Sequence, residues 1–353
     1  MTETAGRRRV VGRLPSMADV AEVAGVSHQT VSRVLNDHPS VREETRARVL
    51  DAIAQLGYRR NSAARALVTR RTRTIGILTT GSALYGPTST AVAVEEAARE
   101  RGYFVSLASV RSFEHDRLRE AIDHFMSQAV EGIVVITPQD DVAAAVESID
   151  TGLPVVMIAA LDNEPARAGT IAIAVDHRLG AYRATQHLLD LGHETVVHLG
   201  GPVDWFDARQ RERGWREALE ERGREVPDVV RCDWSARSGY EAARRLGRRA
   251  RSGGGPTAVF AANDQLALGV LRALWEQGVD VPGDLSVVGF DDIDGAAYFV
   301  PSLTTVSQPF VSLGRRCLQV LAEAIEGAEV GRHLLIEPML VVRASSGPPR
   351  AAG

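Results

Sequence analysis

The sequence predicts an α/β protein in which a small all-α module precedes two linked lobes of doubly wound parallel sheet. Residues 15–60 show helical periodicity, with capping residues at the helix ends. From residue 74 onward, apolar strand-like runs alternate with amphipathic helical segments, the pattern of parallel sheets covered by helices on both faces. Ten such runs are many for one open sheet, so two lobes fit the 353 residues better.

The segment 16–36 predicts two short helices joined by a tight turn. Ser16 can cap the first helix together with Asp19. Gly25 can end that helix with a positive φ, and Ser27 can cap the second. The apolar residues of the second helix share one side, so its outward face is polar and carries His28, Gln29, Ser32 and Arg33. Such a face suits a helix-turn-helix that enters the DNA major groove, although any alanine-rich helical hairpin shows the same periodicity.

An N-terminal arm and a third helix flank this helical pair. Residues 1–14 are polar, arginine-rich and without periodicity, and we expect them to form a disordered arm. The segment Glu43–Leu56 predicts a helix whose acidic first turn suits the positive end of the helix dipole, and Gly57 can end it. Residues 15–60 are therefore expected to form a compact three-helix domain.

Charge is distributed unevenly along the chain. The net charge is −4, yet residues 1–73 contain 14 arginines against 7 acidic residues, so this part carries +7 and the remainder −11. The sequence contains no lysine, so every cationic contact with a phosphate must come from arginine. The basic part is the part that we expect to face nucleic acid.

The helical module resembles the headpiece of the lactose-repressor (LacI/GalR) family of bacterial transcription regulators. It carries that family's motifs, AEVAGVSHQTVSRVLN at residues 21–36 and NSAARAL at residues 61–67. The resemblance implies that the second helix contacts base edges and that a following segment contacts the minor groove. The candidate DNA contacts are Ser16, Met17, Ser27, His28, Gln29, Thr30, Ser32, Arg33 and Asn36 in the headpiece, and Asn61, Ala64 and Leu67 beyond it.

Residues 61–73 are predicted to be a hinge and linker. So short a helix is marginal in isolation. In the resembled family the hinge becomes helical on the operator, where two copies pack together and a leucine opens a base step; Leu67 matches that leucine, Ala64 the groove-facing alanine and Asn61 the helix start. Arg60 stands where the family pattern has proline, which puts in doubt how sharply the hinge begins. A plain linker is the alternative.

The resemblance also covers the α/β part, residues 74–343. Strand-like runs occupy residues 74–80, 103–110, 132–137, 154–159, 171–175, 195–200, 229–233, 258–262, 285–290 and 303–307. The family's core is periplasmic-binding-protein-like, and its chain crosses between two lobes three times. Carried over, one lobe comprises residues 74–174 with 304–330, the other comprises 175–303 with 331–343, and residues 344–353 form a tail.

The motifs of catalysis and of metal binding are missing from the sequence. It has no dinucleotide-binding glycine fingerprint, no phosphate-binding P-loop and no nucleophile elbow, so we expect no enzyme and no cofactor. Cys232 and Cys317 are far apart and lack metal-ligand spacing. The adjacent carboxyls Asp291 and Asp292 follow a strand and should point to opposite faces, so they are a poor catalytic pair. No membrane-spanning run or secretory signal is found, so a cytoplasmic location is expected.

A candidate ligand site follows from polar and aromatic residues that come directly after strands, where α/β sheets bind ligands. A few polar anchors beside an aromatic ring suit a sugar, which has hydroxyls and apolar C–H faces. Matched to the family motifs, Arg211, Asn263 and Asp291 would bind hydroxyls and Trp234 would cover a sugar face. The candidate ligand contacts are Leu84, Pro87, Asp207, Arg211, Trp234, Asn263, Asp291, Gln308 and Phe310.

Several of these motifs match the member that gives the family its name, which implies a galactoside. Ala159 stands where that member has a pocket aspartate and Asp207 where it has serine, so another sugar is an alternative. The alternative is that Trp205 and Trp234 are core or rim aromatics and that Arg211 and Asp291 form structural ion pairs with each other or with a neighbour.

The sequence as a whole predicts a homodimeric repressor that binds a palindromic operator in double-stranded DNA and leaves it when a small sugar binds between the lobes. Within the regulator class, a purine or sugar-phosphate effector is the runner-up. An anionic ligand should require further cationic side chains in the site besides Arg211. A sugar-transport component and a Rossmann-like enzyme are the alternatives from other classes.

Overall fold

The computed structural model describes residues 15–59, 71–81, 83–110, 115–137, 139, 145, 151–160, 170–251, 255–331 and 333–350, with the backbone alone for 248–251. The chain forms two compact units, Met1–Thr72 and Arg73–Gly353. No helix in the described ranges is long and apolar enough to cross a membrane.

Three helices form the first unit, namely α1 (Met17–Ala24), α2 (His28–Leu35) and α3 (Glu43–Leu56). Gly25 and Gly57 end α1 and α3 with φ values of 62° and 63°, in the left-handed region that glycine tolerates. The core consists of one apolar face from each helix, with Val20, Val31 and Val49 fully buried. The helix bounds and stops agree with those predicted from the sequence.

The second unit contains two six-stranded sheets. The first sheet has the order β11-β5-β4-β3-β1-β2 and consists of β1 (Thr74–Thr79), β2 (Phe104–Ser109), β3 (Ile133–Ile136), β4 (Val155–Ile158), β5 (Thr170–Val175) and β11 (His333–Ile336). The second has the order β12-β10-β9-β8-β6-β7 and consists of β6 (Val197–Gly200), β7 (Val230–Arg231), β8 (Ala258–Ala261), β9 (Ser286–Asp291), β10 (Thr304–Ser307) and β12 (Met339–Val341). Neighbouring strands are parallel except β12, which pairs antiparallel with β10.

Helices cover both faces of each sheet. The first lobe has α4 (Tyr85–Glu100) and α10 (Phe310–Ile325) on one face and α5 (His115–Ser127) on the other. The second has α6 (His177–Asp190) with α7 (Phe206–Glu221) on one face and α8 (Ala236–Arg251) with α9 (Asp264–Glu276) on the other. Two doubly wound lobes are therefore present, as the alternation of runs predicts.

Glycines bring the paired helices unusually close. Gly269 of α9 lies against Ala236 of α8, where a Cβ on the glycine would be 1.9 Å from the Ala236 carbonyl oxygen. A Cβ on Gly214 of α7 would lie 2.0 Å from the carbonyl oxygen of Arg178 in α6. No side chain fits in such a space, so both helix pairs depend on glycine for their packing.

The predicted lobe boundaries are wrong for two strands. β10 was expected in the first lobe but pairs with β9 in the second sheet, and β11 was expected in the second lobe but pairs with β5 in the first. The crossings therefore follow β5, β10 and β11. Part of the predicted tail also belongs to the second lobe, because the fully buried Ser345 hydroxyl donates to the carbonyl of Val287 at 2.6 Å.

Candidate functional site

The predicted recognition face lies on the outer side of α2. Val31 and Val34 point into the core of the helical unit, which turns the remaining residues outward. Ser27, His28, Gln29, Arg33 and Asn36 are exposed, and Thr30 and Ser32 are half-buried. Seven predicted DNA contacts thus lie along α2 and at its two ends, outside the core.

Four of the predicted DNA contacts also build the helix ends. The Ser27 hydroxyl accepts a hydrogen bond from the Thr30 backbone N–H at 3.1 Å and lies 2.9 Å from the Thr30 hydroxyl. Ser16 forms a capping box with Asp19, and Met17 packs at the edge of the core. These residues determine where α1 and α2 begin. Asn61, Ala64 and Leu67 lie outside the described residues.

The predicted ligand residues meet in a cleft between the two lobes. Seven of them line one cavity of about 30 Å³, together with Tyr85, Gly86 and Trp205; the seven are Leu84, Pro87, Asp207, Arg211, Trp234, Asn263 and Asp291. Gln308 reaches the same cluster by donating its amide to Asp291 Oδ1 at 2.7 Å. Phe310 meets the Tyr85 ring edge-on, with 5.7 Å between centroids. All nine predicted ligand contacts therefore belong to one region.

The lobes touch each other beside this cavity. Leu84 of the first lobe packs against the core of the second lobe, and Phe206 of the second lobe packs into the core of the first. The Gln139 amide also donates to the Asp204 carboxylate across the cleft, at 3.2 Å. A cavity of about 30 Å³ has room for water but is smaller than a sugar ring.

Arg211 is the cation at the centre of the cleft. It is 4% exposed, its Nη1 donates to the carbonyl of Ala262, and its Nη2 lies 3.7 Å from Asp291 Oδ1. The guanidinium also lies 3.8 Å from the centroid of the Phe290 ring. Burial lowers the pKa of Arg211, while the neighbouring carboxylates oppose that shift.

Asp291 ends β9 with a φ of 117° and is buried. Burial raises its pKa to about 6, while Arg211 and the Gln308 amide oppose the rise. The next carboxylate, Asp292, turns away and pairs with Arg343 Nη2 at 2.7 Å. The two adjacent carboxyls face different partners, as their place after a strand predicts.

Asp264 is a buried carboxyl behind the cleft that sequence analysis missed. Its Oδ1 accepts from the Thr305 hydroxyl at 2.6 Å and its Oδ2 from the backbone N–H of Ile293 at 2.9 Å. Gly289 leaves the space for it, since a Cβ there would lie 2.2 Å from Asp264 Oδ1. Burial, followed by the charge of Asp291, raises the pKa of Asp264 to about 8.

Trp234 forms the aromatic wall of the cavity. It is 5% exposed, adopts a φ of 71° and meets the Trp205 ring at 5.5 Å and an angle of 62°. The Asn263 amide donates to its carbonyl at 3.2 Å, and Gly201 makes room for the indole, 2.3 Å from where a Cβ would lie. The buried Nε1 of Trp234 has no hydrogen-bond partner among the described residues. Both tryptophans therefore line the cavity in addition to packing.

His177 is a second residue that sequence analysis missed. It begins α6 directly after β5, is buried, and lies between Arg211 and Asp207. A lone histidine after a strand carries little signal until the fold places charged partners around it. In the described part of the chain, no group of three or more histidine, cysteine or acidic side chains is arranged to hold a metal ion.

The chain is similar to known proteins along nearly its whole length. Residues 16–61 match the family of bacterial regulatory proteins, lacI family, and residues 185–346 match the periplasmic binding protein-like domain. The chain is 35% identical over 336 residues to the lactose operon repressor of Escherichia coli K12, covering 95% of this chain and 91% of that protein. It is 33% identical over 336 residues to the ribose operon repressor of the same strain, covering 94% and 100% respectively.

Its fold is similar to the crystal structure of the lac repressor dimer bound to operator and the anti-inducer ONPF. The TM-score is 0.80 at 32% identity, with 95% of this chain and 100% of that chain covered. These relatives are repressors, which confirms the expectation that the chain is not an enzyme. With a helix-turn-helix unit and a two-lobed periplasmic-binding-protein-like core matched along nearly its whole length, the chain belongs to the LacI family of bacterial transcriptional repressors.

Proposed function

We propose that this repressor binds a palindromic operator as a homodimer and is released when a small sugar, a galactoside, binds between its lobes. The observation that carries the proposal is the convergence of all nine predicted ligand contacts on one inter-lobe region. Since its target is DNA, we also propose that it acts in the cytoplasm.

The DNA contacts would come from the exposed face of α2. Gln29 and Arg33 can donate to base edges or phosphates there, and His28 and Asn36 extend the polar surface. One such helix contacts only a few base pairs, so a two-fold dimer on a palindrome would supply the missing specificity. Leu67, Ala64 and Asn61 would contact the minor groove from the hinge.

Exposed apolar residues on the first lobe support the dimer. The edge strand β2 carries Phe104 and Leu107, which are 60% and 61% exposed, and the neighbouring α4 carries Val92, which is 54% exposed. An edge strand beside such a patch is usually covered in the functional state of a protein. A second copy is the occupant that two-fold operator binding requires.

The charges in the cleft favour a neutral effector over an anionic one. The guanidinium of Arg211 already interacts electrostatically with the carboxylates of Asp291 and Asp207. A sugar phosphate would bring another negative charge among them. A neutral sugar can instead donate hydrogen bonds from its hydroxyls to the carboxylates and place its apolar face against Trp234.

The galactoside is the more specific part of the proposal. It is supported by the similarity to the lactose operon repressor, while the similarity to the ribose operon repressor keeps other sugars open. Ala159 and Asp207, which depart from the lactose repressor's pattern, lie at the same cleft. A different sugar, a purine or a sugar phosphate is the alternative effector within the same family.

Release would follow from a change in the lobe arrangement. The cavity is smaller than a sugar ring, so we propose that sugar binding shifts the lobes. We propose that this shift separates the hinge segments of the two subunits, so that the helices around Ala64 and Leu67 no longer form. Sugar binding then lowers the affinity for the operator, and operator binding lowers the affinity for the sugar by the same factor.

The first experiment is thermal unfolding of the full-length protein with galactosides, other sugars, purine bases and sugar phosphates. A ligand at 100 times its Kd adds about 2.7 kcal/mol to the stability of its domain. A shift with galactosides that Arg211→Ala abolishes and Arg178→Ala retains would support the proposal. Arg178 is a suitable control because it pairs with Glu217 on the protein surface. A shift only with purines or sugar phosphates would overturn the sugar assignment.

The second experiment tests the hinge. We expect Leu67→Ala to weaken specific operator binding far more than sugar binding, because the residue is assigned to DNA alone. Equal losses of both, or no loss of either, would contradict the hinge assignment.

A further inference from the structure

The pair Asp207 and Arg211 poses a physical problem in this cleft. The two residues lie one turn apart on the same face of α7 and carry opposite charges. Such a pair tends to form a direct ion pair. The two side chains would then bind each other and would not be available to a ligand. A ligand site that uses both side chains needs something to hold them apart.

The side chain of His177 occupies that position. Its Nδ1 lies 3.3 Å from Nε and 3.2 Å from Nη2 of Arg211, so it accepts hydrogen bonds from the guanidinium. Its Nε2 lies 3.3 Å from Oδ1 of Asp207. The ring is 5% exposed and its centroid lies 5.6 Å from that of Phe290. One imidazole thus contacts both side chains through different nitrogens.

We infer that His177 is a positioning residue for the ligand site, acting as a neutral imidazole with its proton on Nε2 that separates Asp207 from Arg211 and holds both toward the cleft. The inference rests on the proposed ligand site for its function, but the tautomer and the contacts are properties of the protein itself. In this role the Asp207 side chain, which is 24% exposed, still lines the cavity.

The charge state of the ring agrees with this role. An imidazolium has no lone pair and could not accept from Arg211. Burial lowers the pKa of His177 to about 4, Asp207 opposes that shift, and Arg211 reinforces it. The other charged group of the cluster, Asp291 on β9, contacts Arg211 rather than the imidazole.

The first test uses no ligand. Nitrogen NMR of the full-length protein labelled at its nine histidines should show a His177 ring that is protonated on Nε2 and remains neutral down to about pH 5. His198 provides an internal contrast, because its Nδ1 lies 3.0 Å from the carbonyl of Phe260 and must carry the proton. Assignment uses the signal lost in either His177→Gln or His177→Asn. A His177 ring that is protonated on Nδ1, or that titrates near 6.5, would overturn the inference.

The second test measures affinity for methyl β-galactoside. Asn places an oxygen where Nδ1 lies and keeps the acceptor for Arg211, whereas Gln places a nitrogen near Nε2 and keeps the donor for Asp207. We expect His177→Phe, which keeps the stacking alone, to weaken binding by about tenfold or more, and the two amides to weaken it less. His187→Gln, on the same helix but bonded to Ser346, should bind as the wild type does.

The two proposals can fail separately. Unchanged affinity in all three His177 variants would overturn the positioning role. If the wild type does not bind this galactoside, the effector assignment fails, and the ring spectra alone decide whether His177 bridges Arg211 and Asp207.

Discussion

The Gln308 side-chain amide donates to Asp291 Oδ1 at 2.7 Å. Gln308 directly follows β10, where the chain crosses from the second lobe to the first, whereas Asp291 ends β9 inside the cleft. A residue at a lobe crossing therefore holds a carboxylate of the proposed ligand site. Any movement at this crossing changes the position of that carboxylate, and any ligand on the carboxylate acts on the crossing.

We expect sugar affinity to fall as the pH is lowered through about 6. Burial raises the pKa of Asp291 to about 6, so below that value the carboxyl gains a proton and loses acceptor capacity for a hydroxyl. Calorimetric titration with a galactoside over a range of pH values measures the effect. Asp291→Asn should bind weakly and with little pH dependence, whereas Asp292→Asn should retain the wild-type profile. An unchanged profile in Asp291→Asn would assign the titration to another group.

We expect Gln29→Ala to change which operator sequences are preferred. Gln29 is exposed on the outer face of α2, and loss of a good base contact costs about 1–3 kcal/mol of discrimination. Fluorescence anisotropy with a set of operator variants measures this preference. Gln55→Ala, an exposed glutamine on α3, is the matched control. A uniform loss of affinity for all sequences would assign Gln29 to the phosphate backbone instead.

We expect Ser27→Ala to destabilise α2 by about 1 kcal/mol, because the hydroxyl caps the Thr30 backbone N–H. Hydrogen exchange of the α2 amides in the full-length protein measures the loss directly. Ser27→Asn should restore protection, since asparagine caps helices as well as serine does. Equal protection in Ser27→Ala and the wild type would show that the cap contributes nothing to this helix.

We expect Gly269→Ala to destabilise the second lobe by about 1–3 kcal/mol. The added methyl group would lie 1.9 Å from the Ala236 carbonyl oxygen, so α8 and α9 must separate. Urea unfolding measures the change. Gly86→Ala is the control, because a Cβ there has no neighbour within 4 Å. Wild-type stability in Gly269→Ala would mean that the helices can part at little cost.

We expect the protein to lose stability as the pH falls from 6.5 toward 4, and part of the loss to vanish in His198→Phe. His198 is fully buried between Phe260 and Trp215, and burial lowers its pKa from 6.5 to about 4. The unfolded chain therefore takes up the proton first, which costs the folded state about 3 kcal/mol over this window. Denaturant unfolding at several pH values measures the slope. Parallel slopes for variant and wild type would contradict this account.

Much of the fold follows from local patterns. Gly25, Gly57 and the serine caps mark the helix ends of the headpiece, and all ten predicted strand-like runs contain a strand. The strands β11 and β12 escaped prediction because they are short and only partly buried edge strands, separated by Pro338. The lobe assignment of β10 also could not be predicted locally, since it depends on pairing with β9 and β12.

In the ligand site, too, local sequence patterns identify some residues and not others. Arg211, Trp234, Asn263 and Asp291 belong to motifs that mark them in the sequence. His177 belongs to no such motif, and Asp264 follows Asn263 in the same motif without being marked by it. The importance of both arises from three-dimensional neighbours: charged residues around the imidazole, and a glycine beside the carboxyl. Burial and electrostatic coupling are properties of the folded arrangement, so no local spacing reveals them.

The three lobe crossings make the two lobes interdependent during synthesis. The second sheet needs β10 and β12, and the first needs α10 and β11, all of which come after β9. A chain that stops before the end of β11, or is cut there by a protease, therefore lacks parts of both lobes at once. Such a fragment keeps the headpiece but has no complete lobe with which to respond to a ligand. The order of the strands thus disfavours a truncated product that would remain well folded, occupy the operator and ignore the signal.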